Sequence, residues 1–485
     1  LIWVKARIVT GAHPVAMDTF SPVAGGLAWQ FDPQILRRHD RPGPRYTSYP
    51  TAPHFHSGFG GHELAQALAL SNQQDRPLSL YVHVPFCSSP CFYCGCNRVI
   101  TRDRSRGQSY VARVLAEADL LASHVAPGRE VIQLHLGGGT PNFLSRDTLR
   151  ELVDGLRQRF TFSEAASRDF SIELDPRFID AEGVAALAAM GFNRASLGVQ
   201  DFDPAVQASI NRIQGVEQTL GILRACRDAG MRSVNVDLIY GLPGQSIEGF
   251  GRTLEQVLQL RPDRLAVYAY AHLPNLFRAQ RQIDEARIPG PEHKLALLGL
   301  AVQALSAAGY QYVGMDHFAL PEEDLSRAQR AGQLHRNFMG YTTHADTDLI
   351  GLGVSAISHV GRSYSQNPRE LPQWEEAVDS GYLPVWRGAA LDDDDVLRAE
   401  VIQQLMCHGE VDLQALCAAH GVQPEAYFAD ALAALAPLQA DGLAEVAQGR
   451  VRATVQGRPL LRLLAMCFDR YLAQPDPVVR YSRAI

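Results

Sequence analysis

The sequence predicts an α/β protein: an open, TIM-like (β/α)6 barrel, preceded by an arm and followed by a mostly helical, winged-helix-like segment. Three observations predict it. From residue 78, six short runs rich in β-branched and apolar residues recur along the chain. Stretches with helical spacing of apolar residues separate them. Past residue 390 the alternation stops, and Ala- and Leu-rich segments lead into a small hairpin.

The six runs are 78–84, 131–136, 170–174, 195–199, 234–239 and 265–268. Between them, Val111, Val114, Leu115, Ala118, Leu121 and Val125 share one helix face. Leu149, Leu152, Val153, Leu156 and Phe160 repeat the pattern, as do Phe250, Leu254, Val257 and Leu258. Strand alternating with helix implies a parallel sheet with right-handed crossovers. Six units suit a partial barrel better than a closed one of eight. In such folds ligands bind at the carboxyl ends of the strands.

Residues 17–60 are rich in Pro, Gly and aromatics and resist both helix and strand, as in Pro42-Gly43-Pro44-Arg45-Tyr46. The first Met is Met17, so residues 1–16 read as a misplaced start or a tag, and 1–31 as a non-native or disordered extension. Downstream, Asp392–Asp395 form an acidic helix start. Residues 442–446 and 451–453 form the hairpin.

The chain has 485 residues, is 46% hydrophobic, and carries a formal net charge of −7. That length suggests two or three domains. The charge offers no basic face for nucleic acid. Residues 391–485 hold 13 acidic against 8 basic side chains, so the winged-helix-like part reads as a structural cap rather than a DNA reader. No apolar run reaches the ~20 residues needed to span a bilayer, and no secretory signal is visible.

Four of the eight cysteines fall within ten residues. The segment reads Cys87-Ser88-Ser89-Pro90-Cys91-Phe92-Tyr93-Cys94-Gly95-Cys96, directly after the first strand. Such crowding points to metal in a reducing cytoplasm, not to disulfides. Structural zinc calls for ligand pairs from separated segments, and no second C-x2-C pair exists. Cys87, Cys91 and Cys94 therefore read as ligands of one 4Fe–4S cluster. Three thiolates leave one iron with an open position, which marks a site of chemistry. Cys96 could ligate, stand by, or take part in the reaction. Cysteines 226, 407, 417 and 467 are isolated and read as core residues.

Other residues fall at strand ends. Gly137-Gly138-Gly139-Thr140 closes the second strand and lets backbone approach a ligand. Glu173, Gln200 with Asp201, and Asp237 lie on or after the next three strands. A carboxylate inside a run as apolar as Val236-Asp237-Leu238 needs a partner. Together these polar groups read as a pocket. Tyr81 precedes the cysteine loop and reads either as strand core or as a site residue.

C-x3-C-x2-C with an aromatic before its last cysteine resembles the radical S-adenosylmethionine superfamily. The likeness extends further. Pro44-Arg45-Tyr46-Thr47-Ser48-Tyr49-Pro50, Cys94-Gly95-Cys96-Asn97, Asp237-Leu238-Ile239-Tyr240-Gly241, Gly314-Met315-Asp316-His317-Phe318 and His335-Arg336-Asn337-Phe338 resemble oxygen-independent coproporphyrinogen III oxidases over roughly residues 32–485.

The resemblance implies a radical SAM barrel with a 4Fe–4S cluster on three cysteines and two molecules of S-adenosylmethionine. Tyr81, Gly138, Glu173 and Ile357 would line the first molecule. Tyr93, Gly139, Thr140, Gln200, Arg212, Asp237 and Ala271 would line the second. Tyr81 and Cys96 are the candidates for a part in the reaction. The implied substrate is coproporphyrinogen III, with an electron donor and an electron acceptor, in a cytoplasmic monomer. Its four carboxylates call for a basic patch, for which Arg45, Arg212 and Arg336 are candidates. The implied division is an arm at 32–77, a catalytic domain at 78–390 with its barrel core over about 78–270, and a helical domain at 391–485. The rivals are a related haem-binding or haem-trafficking protein and, more remotely, a DNA-binding regulator.

Overall fold

A computed structural model describes residues 33–39, 41–473 and 481. The expected extension at 1–31 lies outside them. Six strands follow the six apolar runs closely: β1 Leu78–Val84, β2 Glu130–Gly138, β3 Asp169–Leu174, β4 Arg194–Gln200, β5 Ser233–Tyr240 and β6 Arg264–Ala269. They pair in parallel, in sequence order from β1 to β6. Parallel strands are covered on both faces and so read as near-continuous apolar runs. Leu78, Leu80, Val82 and Val84 are all buried in the main core.

Helices between the strands cover the outside. The helices Ser105–Ala122, Arg146–Arg159 and Ile247–Leu258 bear the three apolar faces legible in the sequence. Val125 lies past the end of the first helix but still packs against the core. Side-chain caps fix where helices begin: Ser145 accepts from the Thr148 N–H, Asp180 from Gly183 and Ser246 from Gly249.

The sheet is wider than six strands. Strand Asp348–Leu352 pairs in parallel with β1, and antiparallel strands at 357–360, 363–366 and 387–390 continue that edge. On the other edge, strand 317–319 adds antiparallel to β6, and strand 311–314 adds antiparallel to 317–319. Short strands separated by a few turn residues give little periodicity, so the sequence does not announce them. A separate hairpin, His335–Asn337 with Gly340–Thr342, is tied to β2 by Gln133 Nε2 donating to Thr342 Oγ1 at 3.1 Å.

The arm is not wholly irregular: Pro33–His39 is a helix within the stretch expected to resist one. Proline at its first position is preset for a helix, and Arg37, Arg38 and His39 suit its carboxyl end. Beyond it, Tyr46 and Tyr49 are buried in the core of the C-terminal part. Tyr46 donates to Asp469 at 2.9 Å, and the Arg470 N–H donates to Tyr49 at 3.0 Å. The arm therefore straps barrel to C-terminal part.

The C-terminal part opens with helix Asp393–His408, where Asp392 and Asp395 form a reciprocal capping box. Strand 410–412 joins the hairpin 444–447/450–453 in a three-stranded sheet beside the helices. Cys226, Cys407 and Cys417 are buried, while Cys467 is half-buried.

Candidate active site

β1 hands the chain directly to the cysteine loop. Phe86–Cys87 pairs with Val99–Ile100, which pins both ends of the loop. Phe86 is buried against Tyr110 and Phe143, anchoring its base. The Phe92 N–H donates to the Ile210 carbonyl at 2.9 Å, and Asn211 Nδ2 donates to the Pro90 carbonyl at 2.8 Å. The Arg98 guanidinium donates to the carbonyls of Cys91 at 3.3 Å and Cys94 at 3.1 Å. The loop is thus held through its backbone, leaving its thiols free to face inward.

Cys87, Cys91, Cys94 and Cys96 all border one cavity of about 290 Å³ at the carboxyl ends of the strands. Cys87 Sγ lies 3.2 Å from Thr140 Oγ1. Cys91 Sγ has Arg212 Nη1 at 3.6 Å and Arg177 Nη2 at 3.8 Å. Burial pushes the Cys87 thiol up to about 11. Cys94 is drawn down to about 6, chiefly by its hydrogen bond with the Cys96 thiol, which rises in turn.

The facing wall holds most of the polar residues singled out from the sequence: Tyr93, Gly138, Gly139, Thr140, Glu173, Gln200, Arg212 and Asp237. The Gly138 N–H donates to Glu173 at 3.0 Å, and Gly138 adopts φ 111°, a conformation natural to glycine. A Cβ on Gly139 would stand 2.6 Å from the Pro85 carbonyl, so this turn closes against the cysteine loop as glycine. Gln200 also sits in the left-handed region, at φ 68°, where β4 ends.

The carboxylates differ in charge. Burial works against ionisation of Glu173, but His135 and the Gly138 N–H more than offset it, so its carboxyl lies below the usual value. Its side chain is 44% exposed, and that exposure is to the cavity it lines. Asp237 is pushed up to about 6 by burial and by Glu173, although Ser196 and Asn235 donate to it at 2.9 and 2.8 Å. Arg212 donates to Asp175 at 3.0 Å and to the Gly198 carbonyl at 2.7 Å, while its buried Nε has no partner.

Three of the sequence candidates stand just behind the wall. Tyr81 stacks on His135 with ring centroids 5.8 Å apart, and its hydroxyl meets His83 Nδ1 at 3.0 Å. Ala271 is joined to Tyr93 through Gln280 Nε2, which donates to both carbonyls at 3.1 and 2.9 Å. Ile357 lies against Gly351, the partner of Tyr81 across the parallel pair.

Other site residues escaped the sequence reading. Asn235 alternates with Asp237 on β5 and so shares its face, and Ser196 is the register partner of Asn235. That period of two was a usable signal. His135 had none, because its partners Ser171 and Glu173 come from another strand, whereas Arg177 pairs with Asp175 and His83 with Tyr81 only two residues away.

The donor set suits an iron–sulfur cluster with S-adenosylmethionine. Among the described residues no three His, Cys, Asp or Glu close round a single metal ion. Spread thiols in one short loop fit one thiolate per iron better than tetrahedral zinc. The orphaned Arg212 Nε and the glycine turn beside the thiols offer a cradle for a polar ligand.

A model of the radical SAM superfamily matches residues 81–257, and one of the HemN C-terminal domain matches 391–460. An oxygen-independent coproporphyrinogen III oxidase from Pseudomonas aeruginosa is 47% identical over 94% of this chain and 99% of its own length. The chain belongs to the oxygen-independent coproporphyrinogen III oxidase family. Its Escherichia coli relative is 45% identical over 94% of this chain and 98% of its own length. The solved structure of coproporphyrinogen III oxidase (HemN) from Escherichia coli, described as a radical SAM enzyme, superposes with a TM-score of 0.87. It covers 91% of this chain and 99% of that one at 45% identity. In this family member, the superfamily match takes in the cysteine loop and all four strand-end polar residues from Glu173 to Asp237. Among the described residues no helix is long and apolar enough to cross a membrane.

Proposed function

We propose that this chain decarboxylates two propionate side chains of coproporphyrinogen III to vinyl groups, giving protoporphyrinogen IX without oxygen. The observation that carries the reading is one cavity walled by Cys87, Cys91 and Cys94 on one side and by Glu173, Gln200, Arg212 and Asp237 on the other. When bound, the cluster and S-adenosylmethionine supply reductive cleavage to methionine and a 5′-deoxyadenosyl radical, which takes hydrogen from the propionate β-carbon; carbon dioxide and one electron then leave, the electron passing to a one-electron acceptor.

The chain's own residues hold and orient. Cys87, Cys91 and Cys94 would hold the cluster. Glu173 and the Gly138 turn receive the first S-adenosylmethionine, beside Tyr81 and Ile357. Tyr93, Gly139, Thr140, Gln200, Arg212, Asp237 and Ala271 receive a second. Cys96, which faces the cavity, and Tyr81, one side chain behind its wall, are the candidates for a part in the reaction. Arg212 sets the charge beside Cys91, and the glycine turn keeps the cofactor cradle narrow. The enzyme works as a cytoplasmic monomer supplied by a separate electron donor.

The test is an anaerobic assay on reconstituted protein with coproporphyrinogen III, S-adenosylmethionine and a reductant, followed by protoporphyrin fluorescence after oxidation. Product that vanishes in Cys87→Ala is the expected result. S-adenosylmethionine cleavage without product from the wild-type protein would overturn the assignment of substrate.

A further inference from the structure

Of the three arginines that could meet the substrate's carboxylates, two are engaged by the protein itself. Arg212 is held by Asp175 and the Gly198 carbonyl, and Arg45 is paired with Asp316. Arg336 is different. It is 5% exposed, and its Nη1 has no partner. Its Nε reaches the Arg45 carbonyl at 3.3 Å, and among the described residues it forms no ion pair. A buried guanidinium without a counter-charge is costly, so its retention points to an anion that arrives from outside.

Arg336 is not itself in the lining of the adjoining cavity; Tyr341, on which it stacks, is. Arg336 pairs with Tyr341 across the hairpin, so both side chains leave the same face. The guanidinium carbon stands 4.7 Å from the Tyr341 ring centroid. Tyr341 lines a second cavity, of about 150 Å³, which shares Glu173, Ser196, Asp237 and Tyr268 with the cysteine cavity. His317 lines it too, edge-on to both Tyr341 and Tyr268 with centroids 5.3 and 5.8 Å away. Its Nδ1 is a second buried polar atom without a partner. Burial first, and then Arg336, hold this imidazole far below its usual value, at about 3, so it stays neutral at physiological pH.

We propose that Arg336 and the His317 imidazole form a carboxylate-binding subsite for a propionate that the reaction leaves intact, with Tyr268 at its junction with the cysteine cavity. A guanidinium presents a planar fork that matches a carboxylate, and a neutral imidazole N–H adds a further donor. The inner cavity has room for a side chain but not for a tetrapyrrole ring. Two of the four propionates survive in the product, so an anchor on one of them serves both decarboxylations. This inference rests on the function proposed above.

The test combines binding with kinetics in Arg336→Gln, Arg336→Lys and His317→Phe. Fluorescence titration would compare coproporphyrin III with its uncharged tetramethyl ester on the cluster-loaded protein. Losing a charge-assisted hydrogen-bonded contact should weaken coproporphyrin III binding ~10- to 100-fold in Arg336→Gln. The ester should bind as it does to the wild type. KM for coproporphyrinogen III should rise by a similar factor, while KM for S-adenosylmethionine and the cluster absorbance hold. Arg336→Lys should recover part of the loss, and His317→Phe should show a smaller one. Unchanged coproporphyrin III binding in Arg336→Gln and His317→Phe, with a wild type that makes product, overturns the subsite alone. Equal losses for acid and ester, or loss of the cluster, assign Arg336 a structural role and also overturn it. A wild type that binds coproporphyrin III but makes no product overturns the proposed function instead.

Discussion

The two ends of the barrel use the same strands and the same residue types to opposite purposes. At the amino-terminal foot, Arg194 of β4 lies 3.2 Å from Asp169 of β3 and 3.1 Å from Glu323, and also pairs with Asp324. Arg264 and Arg232 complete the set, each 2.6 Å from Glu323 and Asp324 respectively. Despite burial, Arg264 and Arg194 hold Glu323 below its usual value, and Arg327, with Arg194 and Arg232, holds Asp324 at about 2. Charge there is matched to charge. At the carboxyl-terminal mouth, Asp237 accepts hydrogen bonds from neutral donors alone. The difference teaches that buried charge by itself does not mark a site: it is met by opposite charge at the foot and by neutral donors alone at Asp237.

Four substitutions test the contrast, from the largest expected effect to the smallest. Cys91→Ala should abolish cluster absorbance and bring anaerobic turnover to background, while the denaturation midpoint of the cluster-free protein changes little. Arg194→Met should do the reverse. Leaving Asp169, Glu323 and Asp324 without their shared cation should cost about 3–5 kcal/mol in chemical denaturation, with turnover per folded molecule unchanged. A strong loss of turnover in fully folded Arg194→Met would erase the distinction between foot and mouth.

Gly139→Ala comes next. The added methyl meets the Pro85 carbonyl and displaces the turn beside the cysteine loop. Misplacement on this scale should lower turnover about 100-fold, read alongside S-adenosylmethionine binding by calorimetry. A fully active Gly139→Ala would show that the close approach is not needed.

Asp237→Asn should have the smallest effect. The folded carboxyl at about 6 lies above its unfolded value, so the native state binds the extra proton, and stability falls as pH rises from about 4 through 6. Above that window the full cost is present, at about 1–3 kcal/mol. The asparagine variant should therefore gain stability over the wild type as pH rises from about 4 through 6, and lose none of that gain above it. Its KM for S-adenosylmethionine should rise about tenfold. Parallel pH–stability curves for the two proteins would mean that the Asp237 carboxyl titrates alike in the folded and unfolded chain.

Much of the mouth was legible beforehand because it depends on local sequence. Four cysteines in ten residues declare themselves, as do three successive glycines after a strand. Asp237 stood out because a carboxylate interrupts an apolar run. His135 did not stand out, because it gains its role from Ser171 and Glu173 on a neighbouring strand, and Asp175 because Arg212 lies 37 positions on. Tyr81 looked equally like core and like site, and its stacking on His135 places it one side chain behind the cavity wall. Arg45 and Arg212 looked as suitable as Arg336 for an anion, and pairing with Asp316 and Asp175 set them apart.

The sequence by itself determined the strands of the barrel, the loop that gathers the thiols, and the cap that starts the helix at Asp393. Each follows from residues close together in the chain: apolar period, cysteine spacing, and a side chain reaching the next turn's N–H. Only the tertiary structure decided which charges are cancelled, which edges the sheet extends along, and how the arm joins barrel to C-terminal part. Those outcomes depend on contacts between residues hundreds of positions apart, such as Tyr46 with Asp469 and Arg129 with Asp348. Spacing along the chain carries no record of such pairs; burial and distance in the folded molecule create them.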